Sequence, residues 1–298
     1  MTDPRLSVVI PTFNNVDVLA RCLDSWRVYA GDQPVEIVVI EDGCRDATAD
    51  HLTMLAATSW GREHLRWHHA ADLHELRCTN HGLRDARAPL AMAWQDDMFL
   101  RRSWLVREVI DTFIRYDDLG LLCLSRGLNC RPFDEPIAAW EDLIDGRRLE
   151  STIGPRPLNW FRLQEVDAVI RPWVVRRACL EAVGYLDEAF VPTEWDEADL
   201  AFRIRRAGWK VATHGYERLG AYQHLGSTTV GVLSDAYKQR VLKNGLLFHQ
   251  RWNDTIRVES GRPRKTWWRN ASVSAWISTI EQLGRFAWRR GRPSEDAT

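Results

Sequence analysis

The chain has 298 residues, of which 45% are hydrophobic and 27% charged, with a formal net charge of −1. These values describe an ordinary folded globule and exclude a protein whose main task is neutralising nucleic-acid phosphates. No stretch approaches the roughly 18 apolar residues of a spanning helix, and the six cysteines form neither a C-x-x-C pair nor a zinc spacing, so free packing thiols in a reducing cytoplasm are expected.

The opening Met1-Thr2-Asp3-Pro4-Arg5 leads into an apolar run too short and wrongly flanked for a signal peptide, so no cleaved leader is expected. Leu6 to Ile10 is a continuous apolar run, the mark of a strand buried on both faces, and Pro11-Thr12-Phe13-Asn14-Asn15 ends it. Val16, Leu19, Cys22, Leu23 and Trp26 then recur at helical spacing. Val35 to Ile40 reads as a second buried strand ending in Glu41-Asp42-Gly43, and Asp46 to Ala57 as a second helix. Strand, helix, strand, helix implies parallel strands joined by right-handed crossovers. Ligands of such sheets bind beyond the carboxyl ends of the strands, where Thr12, Asn14 and Asp42 fall. The turn after the first strand has no G-x-G-x-x-G, and no Walker-type loop appears anywhere. A dinucleotide-binding fold and a nucleotidyltransferase are thereby disfavoured, and a metal becomes the candidate for meeting phosphate charge.

Leu90 to Trp94 is a third strand-like run, followed by Gln95-Asp96-Asp97-Met98. Adjacent carboxylates at a strand end point in opposite directions, so one can reach a cation while the other holds a different group. Mg²⁺ or Mn²⁺, held by few protein oxygens and by substrate phosphates, suits so sparse a set. Val166 to Ile170 and Trp173 to Val175 read as further strand, and Ala178 to Val183 as a short helix ending at Gly184. Glu194-Trp195-Asp196-Glu197-Ala198-Asp199-Leu200 packs acidic groups at the start of a helix. Leu200, Phe202 and Ile204 anchor it, and Gly208 is its stop. Carboxylates there are stabilised by the helix dipole and are suited to accept a proton from a hydroxyl.

Gly231 to about Gly261 reads as helix then loop, and Gly261 to Lys265 as a linker. Trp267 to Arg290 reads as an amphipathic helix. Trp268, Trp276, Ile280, Leu283 and Ala287 share one face, and Arg269, Arg285 and Arg289 lie elsewhere. Such a face suits packing on the rest of the chain, dimerisation, or an anionic membrane surface. The 15 tryptophans suit either sugar stacking or core filling.

Four blocks taken together resemble the inverting GT-A glycosyltransferases of family 2 over about residues 5 to 230. They are Leu-Ser-Val-Val-Ile-Pro-Thr-Phe-Asn-Asn, Ile-Val-Val-Ile-Glu-Asp-Gly-Cys-Arg-Asp, Gln-Asp-Asp-Met, and Val-Gly-Tyr-Leu-Asp-Glu-Ala-Phe followed by Asp-Glu-Ala-Asp-Leu-Ala-Phe-Arg-Ile-Arg-Arg-Ala-Gly-Trp. The resemblance implies a GT-A-like α/β fold with a mostly parallel central sheet flanked by helices. It gives a catalytic domain over residues 1–230, its nucleotide half about 1–100 and its acceptor half about 101–230. Residues 231–298 are expected as a helical C-terminal extension.

The roles below are those the resemblance implies. Asp42 hydrogen-bonds the nucleotide base, and Pro11, Thr12, Phe13 and Asn14 form the wall beside it; Phe13 either stacks on the base or packs the sheet. Gly82 and Arg84 line the nucleotide pocket. Asp97 is the last aspartate of the family's D-x-D motif and holds the metal, Mn²⁺ or Mg²⁺. Asp96 lies near the ribose, and Gln95 replaces the motif's first aspartate. His224, in His-Leu-Gly-Ser-Thr, completes metal or diphosphate contact. Glu197 is the aligned base, with Asp196 the fallback, and Trp195 is either an acceptor platform or a packing group.

The expected activity is metal-dependent inverting transfer of a sugar, from a nucleotide donor expected to be a UDP-sugar with dTDP- and GDP-sugars left open by Asp42, to a hydroxyl of a glycan, glycolipid or natural product. The expected place is the cytoplasm, peripheral at the inner membrane face if the acceptor is lipid-linked. The alternative is a non-catalytic sugar-nucleotide or glycan-binding protein on the same fold, favoured by Gln95 and by the Asp196-Glu197 order.

Overall fold

The apolar runs read from the sequence form the centre of the sheet in a computed structural model, which describes residues 3–30, 33–133, 137–139, 149–151, 162–226 and 234–268. Strand β1 (Leu6–Thr12) is almost wholly buried and β2 (Val35–Asp42) wholly so. They pair in parallel and are extended on either side by β4 (Leu90–Ala93) and β3 (Leu65–Ala70), also parallel. Helices α1 (Val16–Ala30), α2 (Thr48–Ala56), α3 (Ser59–His64) and α4 (His74–Asp85) make the crossovers.

Beyond β4 lie α5 (Trp104–Arg115) and the strands β6 (Leu119–Cys123), β9 (Arg162–Glu165), β10 (Trp173–Arg176), β11 (Lys210–Thr213) and β13 (Thr266–Trp268). Among the described residues the main sheet has nine strands, in the order β13-β9-β11-β6-β10-β4-β1-β2-β3. Only β9 and β10 oppose the direction of β1, so the sheet is mostly parallel, as expected. Two short ribbons stand apart from it: β5 (Met98–Leu100) with β12 (Tyr222–His224), and β7 (Leu128–Cys130) with β8 (Leu149–Ser151).

Side chains alternate between the two faces of the strands. Leu6, Val8 and Ile10 join Trp26 of α1 and Phe113 of α5 in one core. Val9 faces the other way, into a core shared with α6 (Arg177–Val183), α7 (Asp196–Arg206) and α8 (Asp235–Glu259). Gly82 of α4 lies on that face, and a Cβ there would sit 2.3 Å from Val9 Cγ1. Only glycine lets α4 approach β1 so closely.

Two expectations differ from the structure. Val166 to Ile170 is not a strand; β9 precedes it, and Ala168 makes only an isolated bridge to Leu128. The reason is Asp167, whose buried carboxylate accepts from the Cys130 N–H at 3.0 Å and pairs with Arg205, also at 3.0 Å. A buried charge takes the partners it needs, and here they bend the chain out of the ladder. Trp267 and Trp268, read as the start of a helix, instead belong to β13 and pair with β9. The rest of that proposed amphipathic helix, residues 269–298, lies outside the described residues. Residues 235–259 are helical as expected, but α8 is built into the core: Val241, Phe248, Trp252 and Ile256 are buried.

Candidate active site

A cavity of about 740 Å³ opens beyond the carboxyl ends of β1, β2 and β4. This is where an open α/β sheet binds its ligands, and the size suits one small molecule. Pro11, Thr12 and Phe13 wall it at the end of β1, Asp42 at the end of β2, and Gln95, Asp96 and Asp97 after β4. Glu194 stands on the wall before α7, with Tyr237 and Arg240 of α8 beside it.

At the sheet end of the cavity, the Thr12 hydroxyl donates to Asp96 Oδ2 at 2.7 Å. Burial pushes the Asp96 carboxyl up to about 6, although this hydrogen bond opposes the shift. Phe13 presents its ring with 42% exposure, unusual for so large an apolar group. Both oxygens of Asp42 accept backbone N–H groups, from Leu73 at 2.6 Å and His74 at 2.9 Å. Asn14 is left-handed (φ 49°) and its Oδ1 accepts from the Arg45 N–H at 2.7 Å. That bond closes the turn, and Asn14 is not part of the cavity wall.

The β5–β12 ribbon brings Asp97 and His224 together. Leu225 donates its N–H to the Asp97 carbonyl at 3.1 Å, and His224 Nε2 lies 3.3 Å from Asp97 Oδ1. The Asp97 contact raises the His224 pKa against the effect of burial. One carboxylate and one imidazole on the cavity wall fit a divalent cation whose other ligands are water and substrate phosphate. Asp42, Asp72 and His74 also place ligand atoms within 4.8 Å of one another, but Asp42 there already accepts two backbone hydrogen bonds.

The acidic block approaches the cavity from the start of α7. Glu194 (φ 83°) and Trp195 (φ 67°) are successive left-handed residues, a conformation that costs side-chain-bearing residues about 1–3 kcal/mol each. Asn244 of α8 holds this turn, donating from Nδ2 to the carbonyls of Phe190 at 2.7 Å and Thr193 at 2.8 Å. The turn aims Glu194 at the cavity and Trp195 into the core. Burial, then the Glu197 charge, raise the Glu194 carboxyl, which sits beside Tyr237 and Arg240. Asp196 is fully buried, and burial followed by Glu197 pushes it well above the usual carboxylate range.

Arg171, which sequence reasoning did not single out, joins these groups. Its guanidinium pairs with Glu197 Oε1 at 3.0 Å, Asp196 Oδ2 at 3.5 Å, and Glu75 on the cavity wall. No local pattern marks it: it sits between Ile170 and Pro172, and its partners come from α4 and α7.

The structure therefore gathers Pro11, Thr12, Phe13, Asp42, Asp96, Asp97 and His224 around one cavity. Glu197 and Asp196 lie off its wall, linked to it by the Arg171–Glu75 pair. Gly82 belongs to the α4–β1 seam, and Arg84 lies over the Tyr185 ring, 4.8 Å from its centroid. Trp195 packs on Phe248 with ring centroids 5.1 Å apart and is 9% exposed, the geometry of a core residue.

Residues 7–143 match the family model described as glycosyl transferase family 2. A crystal structure of S. aureus TarS 1–349 resembles the chain with a TM-score of 0.51 at 13% identity, over 95% of this chain and 80% of that one. TarS 1–349 in complex with UDP-GlcNAc gives 0.49 at 14% identity, over the same shares. A comparison with curated proteins finds no match. The family match therefore covers residues 7–143, which carry the strand ends that wall the cavity, and the likeness to TarS 1–349 shows a shared α/β fold.

Proposed function

We propose that the protein transfers a sugar from a nucleotide-sugar donor, a UDP-sugar, to an acceptor hydroxyl with inversion at the anomeric carbon. The observation that carries this reading is that two groups share one cavity. Asp97 and His224 line it, and so does Glu194, which immediately precedes the acidic start of α7. Phe13 offers a ring to the base, and Thr12 orients Asp96 towards the ribose. Asp97 and His224 would hold Mn²⁺ or Mg²⁺, which when bound stabilises the negative charge growing on the leaving diphosphate.

The remaining step belongs to the chain's own residues. Glu197 takes the proton of the acceptor hydroxyl as that oxygen attacks from the face opposite the diphosphate. The C–O bond to the diphosphate breaks as the new glycosidic bond forms, so no covalent enzyme intermediate is needed. Acceptors of this chemistry are a glycan, a glycolipid or a natural product. No helix among the described residues is long and apolar enough to cross a membrane, so a lipid-linked acceptor would be met at the membrane surface.

Hydrolysis of a panel of nucleotide sugars in the presence of Mn²⁺ tests the reading. Release of nucleoside diphosphate, fastest with UDP-sugars, is the expected outcome. Tight nucleotide binding with no turnover on any donor or acceptor would instead make this a sugar-nucleotide-binding protein.

A further inference from the structure

Arg171 is a buried cation facing more anions than it can neutralise. Its side chain is 6% exposed, and Glu75, Asp196 and Glu197 all pair with it. The three carboxylates come from two elements that share no sequence signal, the first turn of α4 and the first turn of α7. A guanidinium presents its donors in a rigid planar fork, so it sets the direction of each carboxylate it touches; a lysine would act only as a point charge.

Each arm of the fork has a distinct neighbour. Nη1 meets Glu75, which lines the cavity and accepts from Gln95 Nε2 at 3.5 Å. Nη2 approaches Asp196, whose two oxygens have no hydrogen bond among the described residues. Nε meets Glu197. A continuous polar path thus runs from the cavity wall through Arg171 to the start of α7. The other charged or titratable groups at this point are Glu194, two residues before Asp196, and Tyr237 and Arg240 of α8, which face Glu194.

We propose that Arg171 is a positioning residue for the transfer reaction: it fixes the Glu197 carboxylate at the start of α7 and ties it to Glu75 on the cavity wall. This rests on the reading of Glu197 as the proton acceptor. Arg171 takes no proton and touches no reacting atom. It aims the groups that do, and it supplies the countercharge to the three carboxylates around it.

The test uses two variants whose effects have opposite sign. Arg171→Gln removes the countercharge, so the acid limb of the pH–rate profile for UDP-sugar hydrolysis moves up by about one unit. Turnover then falls more on the acid limb than on the plateau, by at most about tenfold, with the donor KM within about threefold of wild type. Arg171→Lys restores part of the loss. Glu75→Gln removes a competing anion and moves the limb down.

A second measurement needs no substrate. The thermal unfolding midpoint of Arg171→Gln should fall further at pH 8, where the cluster is charged, than at pH 5, and that of Glu75→Gln should fall less at pH 8. Losses equal at both pH values, pH-limb shifts of the same sign in Arg171→Gln and Glu75→Gln, or a loss carried by donor KM would each overturn the inference. If wild type turns over no nucleotide sugar, the functional reading fails, and the unfolding comparison alone decides the role of Arg171.

Discussion

His224 Nε2 lies 3.3 Å from Asp97 Oδ1, although the two residues are far apart in the sequence and only Asp97 lies within the family-matched residues 7–143. The contact depends on backbone pairing, because His224 stands opposite Met98 in the β5–β12 ribbon and Asp97 immediately precedes Met98. Asp97→Asn and His224→Asn should each weaken Mn²⁺-dependent UDP binding by about 10–100-fold, the usual penalty for disturbing a metal site. Titration calorimetry with and without Mn²⁺ checks it. Turnover that survives EDTA unchanged would remove the metal from this pair.

Glu197→Gln keeps the shape of the side chain and removes its ability to accept a proton. Turnover should fall by about 10²–10⁴-fold with UDP affinity nearly intact, the usual contribution of a general base. That range corresponds to roughly 3–5 kcal/mol of barrier. Asp196→Asn should cost less, because that carboxyl is fully buried. Glu194→Gln is the informative comparison, since Glu194 is the member of the block on the cavity wall. Larger losses in Glu194→Gln than in Glu197→Gln would move the base to that position.

Phe13 combines an exposed ring with a place beside Asp42 on the cavity wall. An aromatic face stacked on a base contributes about 1–3 kcal/mol. Phe13→Ala should therefore weaken UDP binding by about 5–150-fold while leaving the unfolding midpoint close to wild type. The reverse pattern, intact binding with a lowered midpoint, would make Phe13 a packing residue.

How much of this was legible in the sequence depended on whether a signal was local. The buried runs of β1 and β2 announced themselves as uninterrupted apolar stretches, and their ends located Thr12 and Asp42 at the cavity, whereas Asn14, expected there too, closes the turn with the Arg45 N–H. Gly208 ended α7 as expected, with φ 92° and its N–H donating to the Arg205 carbonyl at 2.9 Å. Arg171 was invisible because its role exists only once α4 and α7 meet. Trp195 offered an aromatic ring beside an acidic pair, but a left-handed backbone turns that ring into the core. Val166 to Ile170 had the composition of a strand, and one charge, Asp167, overrode it.

Helix α8 yields the last prediction, because it follows the family-matched residues yet packs under the acidic block. Phe248 is fully buried between Trp195 at 5.1 Å and Phe202 at 5.3 Å, centroid to centroid. Trp252, on the same helix, donates its indole N–H to Asp199 Oδ1 of α7 at 2.9 Å. Removing a large aromatic from such a site typically costs about 3–5 kcal/mol. Phe248→Ala should destabilise the protein by that amount in denaturant unfolding, whereas Leu246→Ala, 42% exposed on the same helix, should change stability by less than about 0.5 kcal/mol. Because Phe248 supports the turn that carries Glu194, Phe248→Ala should also lower turnover at temperatures where it remains folded. Unfolding free energies within 1 kcal/mol of wild type for Phe248→Ala would instead make α8 an appendage that the catalytic fold does not need.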